Sequence, residues 1–124
     1  MKTLELARHF MDVIGKGDVE ASRACLHPDA AIWHNYDDIT QTVDENMKLL
    51  EFMIAKCKNR EYEFHRLEEI KDGYLQHHTL TITGMDDKKY STHAMCMITV
   101  KDGKISLIQE WLDPSPLAPV LRAE

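Results

Sequence analysis

Four side chains in this sequence have the chemistry for moving protons: His34, His78, Glu110 and Asp37. An imidazole titrates near neutral pH and exchanges a proton at either ring nitrogen. A carboxylate among apolar neighbours is costly unless it is paired or protonated, and burial raises its pKa toward the range of a general acid or base. Proton-transfer chemistry therefore requires these residues to converge on one pocket.

Strand alternation places His34 on a pocket face. Residues 30–36 are rich in β-branched and aromatic side chains and are predicted to form a strand. Because successive side chains point to opposite faces, His34 shares its face with Ile32 and Tyr36. The alternative is a core histidine that bonds a backbone carbonyl or a carboxylate.

The same argument applies to Glu110, which alternates with Ile108 and Leu112 near the end of the chain. It is predicted to face the pocket from the last strand. If the register were one residue off, every side chain would turn over and Glu110 would be exposed or at an edge.

His77 and His78 must point to opposite faces of a strand, so at most one of them enters a pocket. Asp37 and Asp38 follow the first strand at the expected mouth of the pocket, and Asp37 is a secondary acid–base candidate. Aspartates also favour turns, so both residues could serve only to solvate a loop.

Apolar and aromatic side chains are predicted to line a small cavity around these groups, as in most small-molecule sites, although plain core packing is the alternative. The predicted lining residues are Tyr36, Phe52, Met53, Tyr62, Ile108 and Leu112. The seven histidines show no HxH, HxxxH or CxxC spacing. There is no Gly-rich phosphate loop either, so no metal and no cofactor are predicted.

Three helices and five strands are predicted to position these groups. Residues 3–15 show helical apolar spacing, with Thr3 as the expected N-cap, and a short helix follows from Asp18. Thr42 and Glu45 form a capping-box pattern for a helix that ends near Lys58. After the first strand, a loop is expected at 37–41. Four more strands are predicted at 60–71, 74–83, 89–101 and 104–113.

Sequential hairpins in the second half indicate an antiparallel sheet, with helices gathered early in the chain. The predicted fold class is α+β, with three N-terminal helices packed on one face of a curved antiparallel sheet that forms a cone with an internal pocket. The last two strands carry apolar residues on both faces. Their outer face is therefore predicted to pair with a second copy in a homodimer, the alternative being a thick monomer core.

Length and charge limit the function further. The 124 residues suit one domain, 1–124, with 44% hydrophobic and 29% charged residues. The net charge of −6, from 15 basic and 21 acidic residues, argues against nucleic-acid and anionic-membrane binding. An odd count of three scattered cysteines, with no signal peptide or apolar run of membrane-spanning length, predicts reduced thiols in the cytoplasm.

The order of elements, with the segments 31–37, 41–46, 73–78 and 102–114, resembles the nuclear transport factor 2-like (cystatin-like) fold. Within it the chain is most similar to the SnoaL-like polyketide cyclase and ketosteroid isomerase-like branch, and the resemblance covers nearly the whole chain. It implies a pocket between the sheet and the helices, and it favours His78 over His77 as a pocket residue.

The match to the steroid isomerases is incomplete, because His34 stands near the position of their basic carboxylate. The segment 94–97 also lacks their oxyanion-binding acid. The leading hypothesis is a cofactor-independent isomerase, cyclase or dehydratase that uses His–carboxylate proton transfer on a small apolar carbonyl compound. A non-catalytic module that binds a small ligand or mediates association is the main alternative. Epoxide hydrolysis, a third possibility, would need two acids in the pocket.

Overall fold

The computed structural model describes residues 1–122, and its architecture is α+β, as predicted. The helices are α1 (Thr3–Gly15), α2 (Val19–Ala24), α3 (Val43–Lys56) and, after a 3-10 turn at Ser115–Leu117, α4 (Ala118–Leu121). The strands are β1 (Leu26–His34), β2 (Ile39–Gln41), β3 (Cys57–Ile70), β4 (Gly73–Gly84), β5 (Lys89–Lys101) and β6 (Lys104–Leu112).

The six strands form one sheet in the order β2-β1-β6-β5-β4-β3. All neighbours are antiparallel except β1 and β6, which run parallel. Sequential hairpins indicated the antiparallel part, but the local pattern did not reveal that the first and last long strands are adjacent. None of the helices within residues 1–122 is long and apolar enough to cross a membrane.

The helices begin for different local reasons. At α3 the predicted capping box is present: the Glu45 N–H donates to Thr42 Oγ1 at 3.2 Å, and the Thr42 N–H donates to Glu45 Oε1 at 3.0 Å. Asp18 caps α2, as expected, by accepting from the Ala21 N–H. At α1 the expectation for Thr3 is wrong, because the N-cap is Lys2 and no side chain caps the helix.

The first strand is longer than predicted and has an extra partner. It begins at Leu26 and passes through Pro28, which has no N–H to donate; the pairing with β6 shifts register between Leu26 and Ala31. The expected loop contains the short strand β2, which pairs with β1 through His34 and Ile39. The short strand β2 was not predicted from the sequence, because its residues are largely exposed and so do not show the alternating burial of a strand.

In the hairpin at Asp72 and Gly73 the glycine does not supply the positive φ for which such turns usually need it. Asp72 takes the positive φ of 65°, whereas Gly73 is needed because a Cβ there would lie 1.8 Å from the Ile98 carbonyl oxygen. At Asp102 and Gly103 both residues have positive φ, as two-residue hairpin turns require.

The inner sheet face carries the core beneath α1 and α3. Ala94, Cys96 and Ile98 alternate inward along β5. On β6 both Ile105 and Ile108 are buried, although strict strand alternation would put residues three apart on opposite faces. The pairing of β5 with β6 shifts register between Thr99 and Val100, where β6 has one extra residue. Because of this extra residue, Ile108 points inward as Ile105 does. That irregularity sets the direction in which Glu110 points.

Replacing Thr42 with alanine is expected to lower the free energy of unfolding by about 1 kcal/mol, because the capping box is lost. Thr3→Ala is the matched control, since Thr3 caps nothing, and its effect is expected to stay within about 0.5 kcal/mol. Urea unfolding of both variants measures the difference. Equal losses would show that the Thr42 cap does not contribute.

Candidate active site

A cavity of about 110 Å³ lies between the inner sheet face and helices α1 and α3. Its walls are mostly apolar, with polar groups contributed by strands β1, β3, β4, β5 and β6 and by α3. The lining residues are Phe10, Met11, Ile14, Ile32, His34, Asn46, Met47, Leu49, Leu50, Met53, Tyr62, His78, Cys96, Ile98, Ile108 and Glu110. A small apolar space with a few convergent polar groups is the usual form of a small-molecule site.

His34 and Glu110 form a pair at one end of this cavity. The parallel register of β1 and β6 places them directly opposite each other, so their side chains emerge on the same face. His34 Nε2 lies 3.2 Å from Glu110 Oε1. The His34 side chain is 8% exposed and that of Glu110 is 22% exposed. Glu110 is therefore the member of the pair that a bound molecule reaches more easily.

Cys96 holds the other oxygen of the same carboxylate. It lies opposite Glu110 on the neighbouring strand β5, and its Sγ is 3.3 Å from Glu110 Oε2. Burial raises the pKa of the Cys96 thiol well above its usual value, and the nearby charge of Glu110 and the hydrogen bond between them raise it further. Cys96 is thus a thiol that donates to the carboxylate, and not a thiolate nucleophile.

The Glu110 carboxyl has a lowered pKa, contrary to the expectation that burial would raise it. Burial does act in that direction, but the hydrogen bond and charge of His34 oppose it, together with His78 and Cys96. The net result is a pKa below the ordinary value, so Glu110 is ionised at neutral pH. Because a carboxylate only accepts, His34 carries its proton on Nε2. Within residues 1–122, His34 Nδ1 has no hydrogen-bond partner.

His78 is a second buried imidazole in the cavity wall, and Gln76 fixes its tautomer. Gln76 Nε2 lies 2.8 Å from His78 Nδ1. Burial lowers the pKa of His78, which keeps the ring neutral at neutral pH. Since an amide nitrogen only donates, His78 Nδ1 must accept and Nε2 carries the proton. His78 therefore presents an N–H donor at the cavity.

Tyr62 adds a hydroxyl to this group. Its ring centroid lies 5.5 Å from that of His78, and it lines the cavity from β3. Burial raises the pKa of Tyr62 well above its usual value, and the charge of Glu110 raises it further. The phenol therefore stays protonated and can donate a hydrogen bond to an oxygen atom in the cavity.

The structure brings most of the predicted site residues together. His34, His78 and Glu110 line the cavity, as do Met53 and Tyr62, and Ile108 lies beside Glu110 on β6. The positions of His34 and Glu110 depend on β1 and β6, which meet only in the folded sheet. Their roles in binding or catalysis remain predictions.

Four of the predicted site residues do not line the cavity, which corrects their expected placement. Phe52 precedes Met53 on α3, and the helical turn between them leaves it exposed beside Lys56 Nζ. Tyr36 lies past the end of β1 and is exposed, although its ring contacts that of His34. Leu112 lies at the end of β6, beyond the reach of the cavity.

Asp37 is the fourth of these residues. Its Oδ1 accepts from the Ile39 N–H at 3.0 Å, which forms the turn into β2. The alternative reading of Asp37, as a loop-forming aspartate, describes its position in the structure.

Sequence reasoning missed Gln76 and gave Cys96 no part in the site. Both are buried, and both stand in the same row across the sheet as Glu110 and His34: Gln76 pairs with Cys96, and Cys96 pairs with Glu110. The available sequence signal was a glutamine two residues before a histidine in a predicted strand, because alternation puts both side chains on one face. It becomes meaningful only once the inner face of β4 is known.

The other strand histidines lie outside the cavity. His65, His77 and His93 cluster on the outer sheet face, with ring centroids 4.9–5.7 Å apart. Across residues 1–122, no three His, Cys, Asp or Glu side chains are arranged to hold a metal ion.

The curved sheet, the covering helices and the enclosed polar row define an α+β cone with an internal cavity. The chain belongs to the SnoaL-like domain family, which matches residues 7–108. This confirms the resemblance noted from the sequence, including its placement among nuclear transport factor 2-like proteins. No curated protein matches the chain.

Solved structures agree with the fold. A candidate polyketide cyclase from Streptomyces antibioticus, IdmH, superimposes with a TM-score of 0.84 at 14% identity, covering 99% of this chain and 100% of that one. A candidate SnoaL-like polyketide cyclase from Shewanella putrefaciens gives 0.82 at 10% identity, covering 100% and 98%. An LEH-like epoxide hydrolase from M. tuberculosis gives 0.77 at 18% identity, covering 97% and 90%.

The His78 ring is expected to be neutral and protonated on Nε2 at pH 7, because burial lowers its pKa and Gln76 donates to Nδ1. Nitrogen-detected NMR of labelled protein distinguishes the two neutral tautomers and follows the titration. In Gln76→Leu the tautomer preference should weaken. An Nδ1-protonated ring in the wild type would contradict the assignment.

The same lowered pKa has a consequence for stability. The unfolded chain gains the His78 proton near the ordinary imidazole value of about 6.5, before the folded protein does. Stability from this group is therefore complete above that pH and falls as the pH drops toward and through the folded value. His78→Gln should flatten the pH dependence of Tm between about pH 7 and 5, whereas exposed His9→Gln should not.

Proposed function

We propose that this protein is a cofactor-independent enzyme of the isomerase, cyclase or dehydratase type that moves a proton on a small, largely apolar carbonyl compound. Membership of the SnoaL-like family supports the class. The observation that carries the proposal is the Glu110 carboxylate, held by His34 on one oxygen and Cys96 on the other at the wall of an apolar cavity.

In the proposed reaction Glu110 accepts a proton from the carbon next to the substrate carbonyl. Its lowered pKa keeps it ionised, and it is the more exposed member of the pair. His34 stays hydrogen-bonded to the other side of the carboxylate and stabilises it in both protonation states. One such positioned proton transfer typically contributes about 10²–10⁴-fold to the rate.

As the proton leaves carbon, negative charge develops on the carbonyl oxygen. His78 Nε2–H and the Tyr62 hydroxyl are the donors available to bind that oxygen, and both lie in the cavity wall. Donors already fixed in a water-poor site stabilise such charge better than mobile water does. Protonated Glu110 then donates the proton to a second carbon, which completes an isomerisation, or to a departing hydroxyl group, which leaves as water. In both cases Glu110 returns to its carboxylate form.

The cavity favours chemistry over passive binding. A carrier or structural module would be served by a dry, wholly apolar space, whereas here a histidine and a carboxylate converge within hydrogen-bonding distance. Epoxide hydrolysis is less well supported, although an LEH-like epoxide hydrolase has a similar fold. Among residues 1–122, Glu110 is the only acid that lines the cavity.

A direct test uses 3-cyclopentenone, which isomerises to 2-cyclopentenone by proton transfer and is small enough for this cavity. We expect the protein to accelerate the isomerisation and the exchange of α-hydrogens in D2O, both measured by NMR. Glu110→Gln keeps the shape but removes the base, and is expected to lower the rate about 10²–10⁴-fold.

Two further variants separate chemistry from folding. His34→Gln should also slow the reaction, while Glu63→Gln, an exposed carboxylate on β3 that lines neither pocket, is the matched control and should not. Unchanged rates in both Glu110→Gln and His34→Gln, with intact Tm values, would contradict the mechanism.

We also propose that the chain is a single domain, that it resides in the cytoplasm and that it forms a homodimer through the outer sheet face. Met95, Met97 and Trp111 are exposed there, and Trp111 packs edge-on against Trp33 at 5.3 Å. Contiguous exposed apolar side chains on a sheet are typical of an interface. The buried cysteines are all free thiols, which is consistent with a reducing compartment.

If the protein is a homodimer, light scattering should give a mass close to twice the 14.4 kDa of one chain. Replacing Met97 with lysine places a charge in the middle of the apolar face and should shift the protein to monomer. Lys101→Glu, an exposed change beyond that patch, should leave the mass unchanged. A monomeric wild type would contradict the proposed assembly.

A further inference from the structure

A second pocket, which we call the outer pocket, opens on the surface between α1 and β3 with a volume of about 480 Å³. It shares Met11 and Tyr62 with the inner cavity, so these two side chains form a common wall. The remaining lining residues are Arg8, Asp12, Gly15, Lys16, Arg60, Glu61 and Phe64. A molecule in one space therefore lies directly against the boundary of the other.

The outer pocket has more positive than negative residues, although the whole chain has a net charge of −6. Both of its acids already have a hydrogen-bonding partner, although only the partner of Asp12 is a cation. Asp12 forms an ion pair with Lys16 at 2.9 Å, and Glu61 accepts a hydrogen bond from Asn59 at 3.1 Å. Two arginines remain as the cations available to an incoming anion.

Arg60 is the more unusual of the two because it is only 7% exposed. Its Nη2 donates to the Gly15 carbonyl at 3.0 Å, with a longer contact to the Ile14 carbonyl at 3.4 Å. Its Nη1 donates to Cys57 Sγ at 3.7 Å, and its Nε has no partner within residues 1–122. Carbonyl oxygens offset only part of a guanidinium charge. A buried cation without a full counter-charge is costly, which favours an anion nearby.

Arg8 lies on the exposed side of the same pocket. Its guanidinium carbon is 5.4 Å from the centroid of the Phe64 ring, and stacking of this kind orients the planar fork. None of the ion pairs within residues 1–122 includes Arg8 or Arg60.

Tyr62 connects the two spaces electrostatically. Apart from burial, the charge of Glu110 raises the pKa of Tyr62, whereas the charge of Arg60 lowers it. Tyr62 therefore lies within the fields of both the inner carboxylate and the outer guanidinium. A ligand that reaches across the shared wall would place its two ends near these opposite charges.

We propose that Arg8 and Arg60 bind the carboxylate of a substrate whose carbonyl end enters the inner cavity, so that the substrate class is a small oxo acid. The proposal rests on the proton-transfer function given above and adds the anionic end of the substrate. The flexible Met11 side chain turns aside to let the ligand span the shared wall. Arginine suits this role because its fork matches a carboxylate in a bidentate geometry.

The test compares 3-oxocyclopentane-1-carboxylate with its carboxamide, which has the same shape without the charge. NMR titration in low salt is expected to give a Kd for the carboxylate about tenfold or more below that of the carboxamide, because charged hydrogen bonds are stronger than neutral ones. Salt should reduce the preference. Equal Kd values would overturn the proposal.

Arg8→Gln is the informative variant, since Arg8 is exposed and its side chain makes no hydrogen bond within residues 1–122. It should reduce the carboxylate preference and leave the carboxamide Kd unchanged. Arg60→Gln should abolish the preference, and Arg60→Lys should retain part of it if the fold is kept. Arg23→Gln, a surface arginine paired with Asp44, is the matched control and should change neither Kd.

Binding and turnover separate this inference from the proposed function. If the carboxylate is preferred but neither ligand exchanges its α-hydrogens, the anion site stands and the proton-transfer function fails. If both ligands exchange equally fast and bind equally, the function stands and the anion site is overturned.

Discussion

A largely buried carboxylate on the inner face of a sheet is the constraint on which this structure depends. Glu110 is ionised in a mostly apolar cavity, and isolated charges are not tolerated in such places. The cost of burying this charge is offset because the two neighbouring strands supply one hydrogen-bond donor each. His34 donates from β1 and Cys96 donates from β5. The row continues to Gln76 on β4. Four strands thus contribute one polar side chain each at the same level of the sheet.

The helices complete the site by excluding water from this row. Helix α1 buries Leu6, Ala7 and Phe10 against the sheet, and α3 buries Met47 and Leu50. These contacts make the electrostatic interactions inside the cavity stronger than they would be in water. Burial disfavours the charged form of both groups, so it lowers the pKa of His78. For Glu110 the effect of burial is outweighed, because His34 and Cys96 donate to its carboxylate and hold its pKa down.

Much of the fold could be predicted because its signals are local. The capping box at Thr42, the alternation along β5 and the Asp-Gly turns each depend on a few adjacent residues. The site could be predicted in part for the same reason, since His34, His78 and Glu110 follow from alternation. The misses are non-local: the parallel neighbour of β1, the bulge near Ile105, the placement of Phe52 and the part played by Gln76 all depend on which elements meet in space. The pKa of Glu110 also required knowledge of its partners, because burial alone would have moved it in the opposite direction.

The parallel contact between β1 and β6 has a consequence for how the molecule acquires its site. The strand that carries His34 is made early in the chain, and the strand that carries Glu110 is the last of the sheet. Contacts between distant parts of a chain form slowly, because a long loop must close before the pairing stabilises it. The meander of β3 to β6 can form from local hairpins, whereas the polar row is complete only when β1 pairs with β6. Assembly of the site should therefore mark the completion of folding, and an intermediate with a formed meander should still leave the carboxylate of Glu110 without its histidine.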